Sequence, residues 1–314
     1  MRFAVIGTGG VGGYFGARLA AAGIDVVFTA RGAHYETLRR SGLRVVSTDG
    51  TSVVPPGYFV GSPGDIGSAD VLLVCVKTYD SGEVVRALSG VLQPETVIIS
   101  LQNGVENDAL WREAFPLCHI LGGTAYIYST ITRPGEVTER GGPKKIAFGP
   151  YPGAAPEVVR RASRILDVVV GAGINAEIPP DIVAAIWKKF IFITGAAGIT
   201  ALTRLTLGEI LAVPATRTLL TDAMRETEAV ARASGVSIEP AYLEAVFETL
   251  GKFDAATRSS LYNDLAHGKP LEIEALSGTV ARRGAAAGIP TPIHRTIYAA
   301  LLPHHLLHMK NRKS

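Results

Sequence analysis

The sequence has few cysteines and no pattern that would link them. Two of its 314 residues are cysteine, Cys75 and Cys118, and each lies inside an apolar run. This excludes a small secreted domain built on disulfides and favours free thiols in a protein core. Such thiols suit a reducing compartment, so we expect a cytoplasmic protein.

Excess charge of either sign is also scarce. The formal net charge is +3, and no basic block is longer than the last few residues. This balance gives no indication of nucleic-acid binding, although a small positive charge weakly favours anionic ligands. His304, His305 and His308 have a spacing that could bind a metal, but no carboxylate or cysteine accompanies them. We therefore expect a solvated helix end and no metal site.

Long uninterrupted apolar segments are missing as well. The first apolar run is a few residues long and ends in a glycine turn, which does not fit a signal peptide. The longest apolar stretch of the second half, residues 182–202, contains Lys188 and Lys189. We predict that it forms a buried helix and that the protein does not span a membrane.

The composition that remains is balanced, with 47% hydrophobic and 19% charged residues in a chain long enough for two domains. Strand-like and helix-like segments alternate in the first half, which predicts a parallel sheet with helices on both faces. Beyond Pro179 and Pro180 every segment has helical character. We therefore predict an α/β protein with an N-terminal Rossmann-type dinucleotide-binding domain (residues 1–179) and an all-helical C-terminal substrate and catalytic domain (180–314). Ligands are expected in a cleft where the strand ends face the helices.

Residues 119–148 interrupt this alternation. Their β-branched and alternating runs are joined by Pro-Gly and Gly-Gly turns. That pattern predicts antiparallel strands added to the edge of the same sheet.

The most informative motif lies near the N-terminus. A short apolar run, Phe3 to Ile6, is followed by Gly7-Thr8-Gly9-Gly10-Val11-Gly12 and then by a helical stretch. In this context Gly7 permits a tight turn, Gly9 lets the backbone approach a pyrophosphate, and Gly12 lets the helix pack on the strand. Because the free N–H groups of the helix face the phosphates, the segment predicts a dinucleotide site. The alternative is a βα turn without a ligand.

The end of the second predicted strand indicates which dinucleotide binds. A site that prefers NAD ends this strand with a carboxylate for the ribose 2′-hydroxyl, whereas this strand is followed by Arg31. A guanidinium pairs with a 2′-phosphate through two parallel hydrogen bonds, so we predict NADP(H) with Arg31 as the phosphate ligand. The alternative is a solvated arginine at a helix start.

Further motifs follow in a specific order: VKTYD at 76–80, QNG at 102–104, IWKKF at 186–190, RSSL at 258–261 and LEIEALSG at 271–278. Together with the glycine motif and Arg31, they resemble the ketopantoate reductase (2-dehydropantoate 2-reductase) family over nearly the full chain. The resemblance implies that NADPH reduces a 2-keto acid to a 2-hydroxy acid. The leading specific activity is reduction of 2-dehydropantoate (ketopantoate) to pantoate, in pantothenate biosynthesis.

Reduction of a ketone builds negative charge on its oxygen, and a positioned cation that donates a proton accelerates this step. The resemblance implies that Lys189 is this catalytic lysine and contacts the substrate. Apart from Lys188, its neighbours in the predicted helix are apolar: Ile186, Trp187, Phe190, Ile191 and Phe192. Partial burial makes a lysine a better acid near neutral pH. From the residues alone, a lysine that extends from a buried helix to solvent is an equal alternative, and it applies to Lys188 as well.

The resemblance assigns roles to four other residues. Asn103 is implied to bond the nicotinamide ribose and either the substrate or Lys189, and Lys77 to lie where cofactor and substrate meet. Glu272 is implied to reach back toward the cofactor and the active site, where a carboxylate could pair with Lys189. Ser260 is implied to bond the substrate carboxylate. The alternatives are an Asn-Gly turn, a solvated lysine, a solvated glutamate and a helix cap.

Two neighbours of these residues serve as comparisons. Glu274, two residues after Glu272, is expected to point elsewhere and serves as a control. Ser259 is the less favoured candidate beside Ser260.

The chain departs from the family pattern at Ile193 and Ala197. Pantoate-forming enzymes typically carry asparagines at these positions, four and eight residues after the catalytic lysine, where they hold the substrate. A pocket without those amides is more apolar, so a different and more apolar 2-keto acid is the alternative substrate. A non-catalytic NADPH-sensing module is an alternative from another class, and the joint presence of Lys189, Asn103 and Glu272 argues against it. The helical domain also offers enough surface for a homodimer.

Overall fold

The computed structural model describes residues 1–251 and 254–313, the side chain of residue 313 excepted. The chain forms two compact units. The first consists of Met1–Gln102 and Asn107–Ala185, and the second of Asn103–Glu106 together with the chain from Ile186 onward. The short segment Asn103–Glu106 thus belongs to the second unit, although residues of the first unit precede and follow it.

The first unit contains both strands and helices. Its strands are, in chain order, β1 (Arg2–Ile6), β2 (Asp25–Thr29), β3 (Leu43–Ser47), β4 (Gly50–Val54), β5 (Phe59–Val60), β6 (Val71–Val74), β7 (Val97–Ser100), β8 (His119–Tyr126), β9 (Ser129–Arg133), β10 (Glu136–Glu139), β11 (Lys145–Gly149) and β12 (Asn175–Glu177). Its helices are α1 (Gly10–Ala21), α2 (Gly32–Ser41), α3 (Ser81–Leu88), α4 (Asn107–Ala114) and α5 (Pro156–Gly171).

Eight of these strands form one sheet in the order β12-β11-β8-β7-β6-β1-β2-β5. From β5 to β8 all neighbouring strands are parallel. Side chains of β1 alternate between two apolar clusters: Phe3 and Val5 pack on one face, and Ala4 and Ile6 on the other. A sheet covered on both faces explains why its central strands are uninterrupted apolar runs. The order reverses at β1, as in a Rossmann fold.

The edge prediction for residues 119–148 is correct in part. β11 does pair antiparallel with β8, but β8 pairs parallel with β7. β9 and β10 do not join this sheet: they form a separate four-stranded sheet in the order β4-β3-β10-β9. Val137 of β10 lies opposite Val45 of β3 and is fully buried. An alternating pattern shows which side chains of a strand are buried, but it does not show which strand pairs with it. The pairing of β10 with β3 therefore could not be predicted from the sequence.

From Ile186 onward, all the regular structure in the described part of the second unit is helical, which confirms the predicted fold class. Its helices are α6 (Ile182–Thr203, whose first turn lies in the first unit), α7 (Leu207–Ala212), α8 (Pro214–Ala233), α9 (Tyr242–Leu250), α10 (Ser260–Ala266), α11 (Thr279–Ala287) and α12 (Pro292–Lys313). A π-helical turn, Glu274–Gly278, leads directly into α11.

Helix α6 is long and apolar enough to cross a membrane, with a mean hydropathy of 1.6. However, 56% of its most apolar 18-residue segment is buried inside the protein, and core helices of other proteins can be equally long and apolar. It is therefore weak evidence for a membrane span.

Candidate active site

The glycine motif forms the turn between β1 and α1. Gly7 has a φ of +100°, which favours glycine, and a Cβ there would lie 2.8 Å from a methyl group of Val76. A Cβ on Gly12 would lie 2.2 Å from the carbonyl oxygen of Gly7, so the helix start packs directly against the turn. Gly9, in contrast, faces open space, with nothing within 4 Å of its Cβ position. The turn is therefore closed on its inner side and open at Gly9.

Hydrogen bonds fix the turn to the neighbouring strand. The Thr8 hydroxyl donates to the Thr29 carbonyl at 2.8 Å, and the Gly7 amide donates to the Thr29 hydroxyl at 2.9 Å. His34, which sequence reasoning missed, bonds the Thr8 carbonyl through Nε2 at 2.9 Å and accepts from the Gly135 amide through Nδ1 at 3.0 Å. Because Nδ1 accepts, Nε2 carries the proton and the ring is neutral. Burial lowers the pKa of His34, which favours this state.

An unsatisfied hydroxyl lies beside the same turn. Ser129 Oγ is buried and has no hydrogen-bond partner among the described residues. It lies on β9, whose backbone passes so close to α1 that a Cβ on Gly10 would come within 2.2 Å of the Ser129 carbonyl oxygen. A helix N-terminus with unsatisfied N–H groups, an unpaired hydroxyl and open space at Gly9 suit the oxygens of a phosphate. The residues present thus fit a dinucleotide.

Arg31 is the residue before the first turn of α2, two positions after the end of β2, and its side chain bonds a carboxylate. Its guanidinium donates to both carboxylate oxygens of Asp80, at 2.5 and 3.3 Å, and lies 3.8 Å from Glu83. Lys77 follows β6 and starts the short 3-10 turn that carries Asp80. The predicted phosphate ligand therefore already holds a two-point ion pair, and a 2′-phosphate would compete with Asp80 for it.

The glutamine of the QNG motif has a structural role. Gln102 is buried, and its amide donates to the Val76 carbonyl at 3.0 Å and to the Ser81 hydroxyl at 2.8 Å. Its carbonyl accepts from the Ser100 hydroxyl at 3.1 Å. The end of β7 is thereby tied to the end of β6, and the next residue, Asn103, enters the second unit.

Three of the predicted residues come together within the second unit. Lys189 Nζ on α6 donates to Asn103 Oδ1 at 3.0 Å. Burial lowers the pKa of the Lys189 ammonium group to about 8, while the nearby Glu272 carboxylate acts in the opposite direction. Glu272 itself is 5% exposed and precedes the π-helical turn. The arrangement is a largely desolvated cation that bonds an amide oxygen and feels the charge of a carboxylate, and such a cation can donate a proton at neutral pH.

The comparison residues behave differently. Glu274 accepts hydrogen bonds from Arg282 at 2.9 Å and from the Tyr298 hydroxyl at 2.6 Å. Ser259 caps α10, because its hydroxyl accepts from the Tyr262 amide at 3.0 Å. Ser260 is the exposed first residue of that helix.

One face of α6 extends from Lys189 to the two serines at the start of α10. Lys189, Ile193, Ala197 and Thr200 follow at helical spacing, and the Thr200 hydroxyl donates to Ser259 Oγ at 2.7 Å. At the rise of an α-helix, Thr200 lies about 16 Å beyond Lys189 along the axis. Ala197 is buried and Ile193 half-buried. The face between the lysine and the serines is thus lined by apolar side chains at the two positions where asparagines were expected.

Comparison with known proteins identifies the family. The family model described as "Ketopantoate reductase PanE/ApbA" matches residues 3–153, and its C-terminal counterpart, "Ketopantoate reductase PanE/ApbA C terminal", matches residues 181–304. A crystal structure of a PanE/ApbA family ketopantoate reductase from Ralstonia eutropha superposes with a TM-score of 0.89 at 28% identity, covering 98% of this chain and 100% of that one.

Two curated relatives extend over nearly the whole chain. An uncharacterized oxidoreductase of Bacillus subtilis, YkpB, is 33% identical over 303 residues, covering 96% of this chain and 98% of the relative. The 2-dehydropantoate 2-reductase of Halobacterium salinarum is 31% identical over 298 residues, covering 95% and 96%. The chain therefore belongs to the ketopantoate reductase family, oxidoreductases that bind a nicotinamide dinucleotide and reduce a 2-keto acid.

Proposed function

We propose that the protein reduces a 2-keto acid with NADPH, that Lys189 donates the proton, and that 2-dehydropantoate is the leading substrate. The observation that carries this proposal is the Lys189 ammonium group, which bonds Asn103 at 3.0 Å and has a pKa of about 8. An ordinary lysine holds its proton too tightly to release it readily at neutral pH.

In this mechanism, bound NADPH supplies the hydride. The Lys189 ammonium donates a hydrogen bond to the ketone oxygen, offsets the charge that develops there and then transfers its proton. Glu272 keeps the lysine protonated against the desolvation that favours its neutral form. The Asn103 amide orients the ammonium group, and solvent restores the proton after turnover.

Replacement of the lysine tests this role. Lys189→Ala should lower kcat by about 100-fold to 10,000-fold, the usual contribution of a proton donor, while NADPH still binds. Lys188→Ala is the matched control, because Lys188 is the neighbouring lysine and pairs with Glu239 at 2.7 Å. Turnover close to wild type in Lys189→Ala would contradict the proposal.

For the cofactor, we propose NADP(H) bound by Gly7 to Gly12 with Arg31 on the 2′-phosphate and with Lys77, Asn103 and Glu272 as further ligands. The Asp80–Arg31 pair favours a second candidate, NAD(H), because a protein carboxylate in this position would accept hydrogen bonds from the ribose hydroxyls of the cofactor. Arg31→Ala should raise the Kd of NADPH at least about tenfold and leave that of NADH unchanged. Asp80→Asn should tighten NADPH binding, because it releases the guanidinium. An unchanged NADPH-to-NADH ratio in both variants would reject Arg31 as the phosphate ligand.

For the substrate, Ile193 and Ala197 support a second candidate within the same reaction class, a more apolar 2-keto acid. A panel of 2-keto acids with increasingly apolar substituents, followed by absorbance at 340 nm, separates the two. A higher kcat/KM for 2-dehydropantoate than for every apolar acid would reject the second candidate. Absence of turnover across the panel would favour an NADPH-sensing module.

Several expectations from the sequence stay predictions. They are the contact of Ser260 with the substrate carboxylate, a homodimer, a cytoplasmic location and the domain boundary after residue 179. Ser260→Ala should raise KM for the keto acid more than it lowers kcat, and light scattering after size-exclusion chromatography would measure the oligomeric state.

A further inference from the structure

Glu106, at the end of the segment that begins with Asn103, is held by three donors from one helix. Arg283 Nε donates to its Oε1 at 2.9 Å. Arg282 Nη2 and the Thr279 hydroxyl each donate to its Oε2 at 3.2 Å. All three donors lie on α11, more than 170 residues away in the chain. Burial alone would raise the pKa of Glu106, but these partners hold it below its ordinary value, so the carboxylate is charged.

The two arginines are themselves anchored. Arg282 also donates to Glu274 Oε2 at 2.9 Å. The guanidinium carbon of Arg283 lies 5.6 Å from the centre of the Trp187 ring. Trp187 is 5% exposed and precedes Lys189 by two residues on α6. The carboxylate of Glu106 is thus connected to the same turn of α6 that carries the lysine.

The segment from Asn103 to Glu106 has no regular backbone structure. It forms bends rather than a helix or strand, and Gly104 has a φ of +108°. Four extended residues span little more than about 10 Å, so a movement of Glu106 is passed on to Asn103. Charge-assisted bonds to a carboxylate are among the strongest side-chain contacts available to hold such a segment.

We propose that Glu106 is a positioning residue for the reduction, whose bonds to α11 hold Asn103 Oδ1 against the Lys189 ammonium group. This inference rests on the proposed function, since it assigns the segment its purpose in orienting the proton donor. The competing interpretation is a partly exposed ion-pair network that contributes only to stability. The two differ in whether the effect of Glu106 passes through Asn103.

A double-mutant cycle makes that distinction. Glu106→Ala should lower kcat about 10-fold to 100-fold, the usual consequence of misplacing a catalytic group by about 1 Å. In the Asn103→Ala background, the same change should alter kcat less than about twofold, because the group that it positions is already absent. Equal fold-losses in both backgrounds would overturn the proposal.

Two further variants separate positioning from general damage. Glu106→Gln keeps the length and the acceptor oxygen and should retain more activity than Glu106→Ala. Asp222→Asn removes another carboxylate–arginine pair of the second unit, on α8, and should leave kcat unchanged. Circular dichroism of each variant verifies that the protein is folded.

A titration of the enzyme without substrate tests the role of Glu106 independently of catalytic activity. The Lys189 amine can be followed by ¹⁵N NMR in lysine-labelled protein and assigned by its loss in Lys189→Arg. In Glu106→Ala it should titrate at lower pH than in wild type, because the ammonium loses an oriented acceptor while Glu272 remains. An unchanged titration would overturn the role of Glu106 whatever the activity. Full activity in Lys189→Ala would reject the proposed function and with it the role of Glu106 in the reduction, even if the titration showed that Glu106 orients the Lys189 amine.

Discussion

Raising the pH gives the most direct test of the proposed proton donor, because it removes the proton without changing a residue. With a pKa of about 8 for Lys189, roughly 90% of the amine is charged at pH 7 and roughly 10% at pH 9. An ordinary lysine would remain more than about 95% charged at both pH values. Since only the charged form donates, kcat/KM for ketone reduction should fall about tenfold from pH 7 to pH 9.

Removing the charge of Glu272 should shift the pH dependence in a known direction. Glu272 raises the pKa of Lys189 against the larger effect of burial. Glu272→Gln removes that charge, so the fall in kcat/KM should move to lower pH. Glu274→Gln is the control, since Glu274 bonds Arg282 and Tyr298. Its pH profile should match that of wild type.

The assay is the initial loss of absorbance at 340 nm at a keto-acid concentration well below KM, from pH 6 to pH 10. Under these conditions kcat/KM reports ionisations of the free enzyme and free substrate, and a 2-keto acid does not titrate in this range. The Kd of NADPH, measured at each pH by fluorescence, excludes a change in cofactor binding. A flat profile up to pH 9.5 would refute the assignment of Lys189 as an acid with a lowered pKa.

Four other predictions follow from separate positions. Gly10→Ala would place a methyl group 2.2 Å from a carbonyl oxygen of β9 and should destabilise the fold by about 1–3 kcal/mol or more, seen as a lower Tm. Gly9→Ala meets nothing within 4 Å, so its stability should change by less than about 1 kcal/mol while the Kd for the dinucleotide rises. Restoring amides with Ile193→Asn and Ala197→Asn should raise kcat/KM for 2-dehydropantoate relative to apolar 2-keto acids. Burial raises the pKa of Cys75 to about 12, so iodoacetamide at pH 8 should leave it unmodified in native protein, as measured by peptide mapping.

Local patterns were sufficient to predict the Rossmann-type unit. The uninterrupted run Val71–Val74 is fully buried because both faces of the sheet are covered, and such runs are recognisable in a sequence. The atoms that leave no room for a side chain at Gly7 and Gly12 also belong to residues a few positions away or at the end of the adjacent strand. Where structure depends on near neighbours, the sequence pattern carries the information.

The remaining contacts join residues far apart in the chain. The bond between Gly135 and His34 spans 101 residues, and that between Thr279 and Glu106 spans 173. No local spacing encodes such pairs, so sequence reasoning missed both. Helix α4 begins at Asn107, directly after the bends of Asn103–Glu106, which belong to the other unit. The proximity of Asn103 to Lys189 came from family resemblance rather than from any pattern in the residues.

The passage of Asn103–Glu106 into the second unit has a consequence for dissecting this enzyme. A fragment cut out at the start of α6 would retain the lysine and the glutamate but lose the amide that bonds the lysine. Its counterpart would contain the glycine turn and that amide, with no lysine amine to donate to the amide oxygen. In the proposed mechanism neither piece would hold the complete lysine–amide pair. Exchange of either unit with that of another protein would therefore require residues 103–106 to be moved together with the second unit.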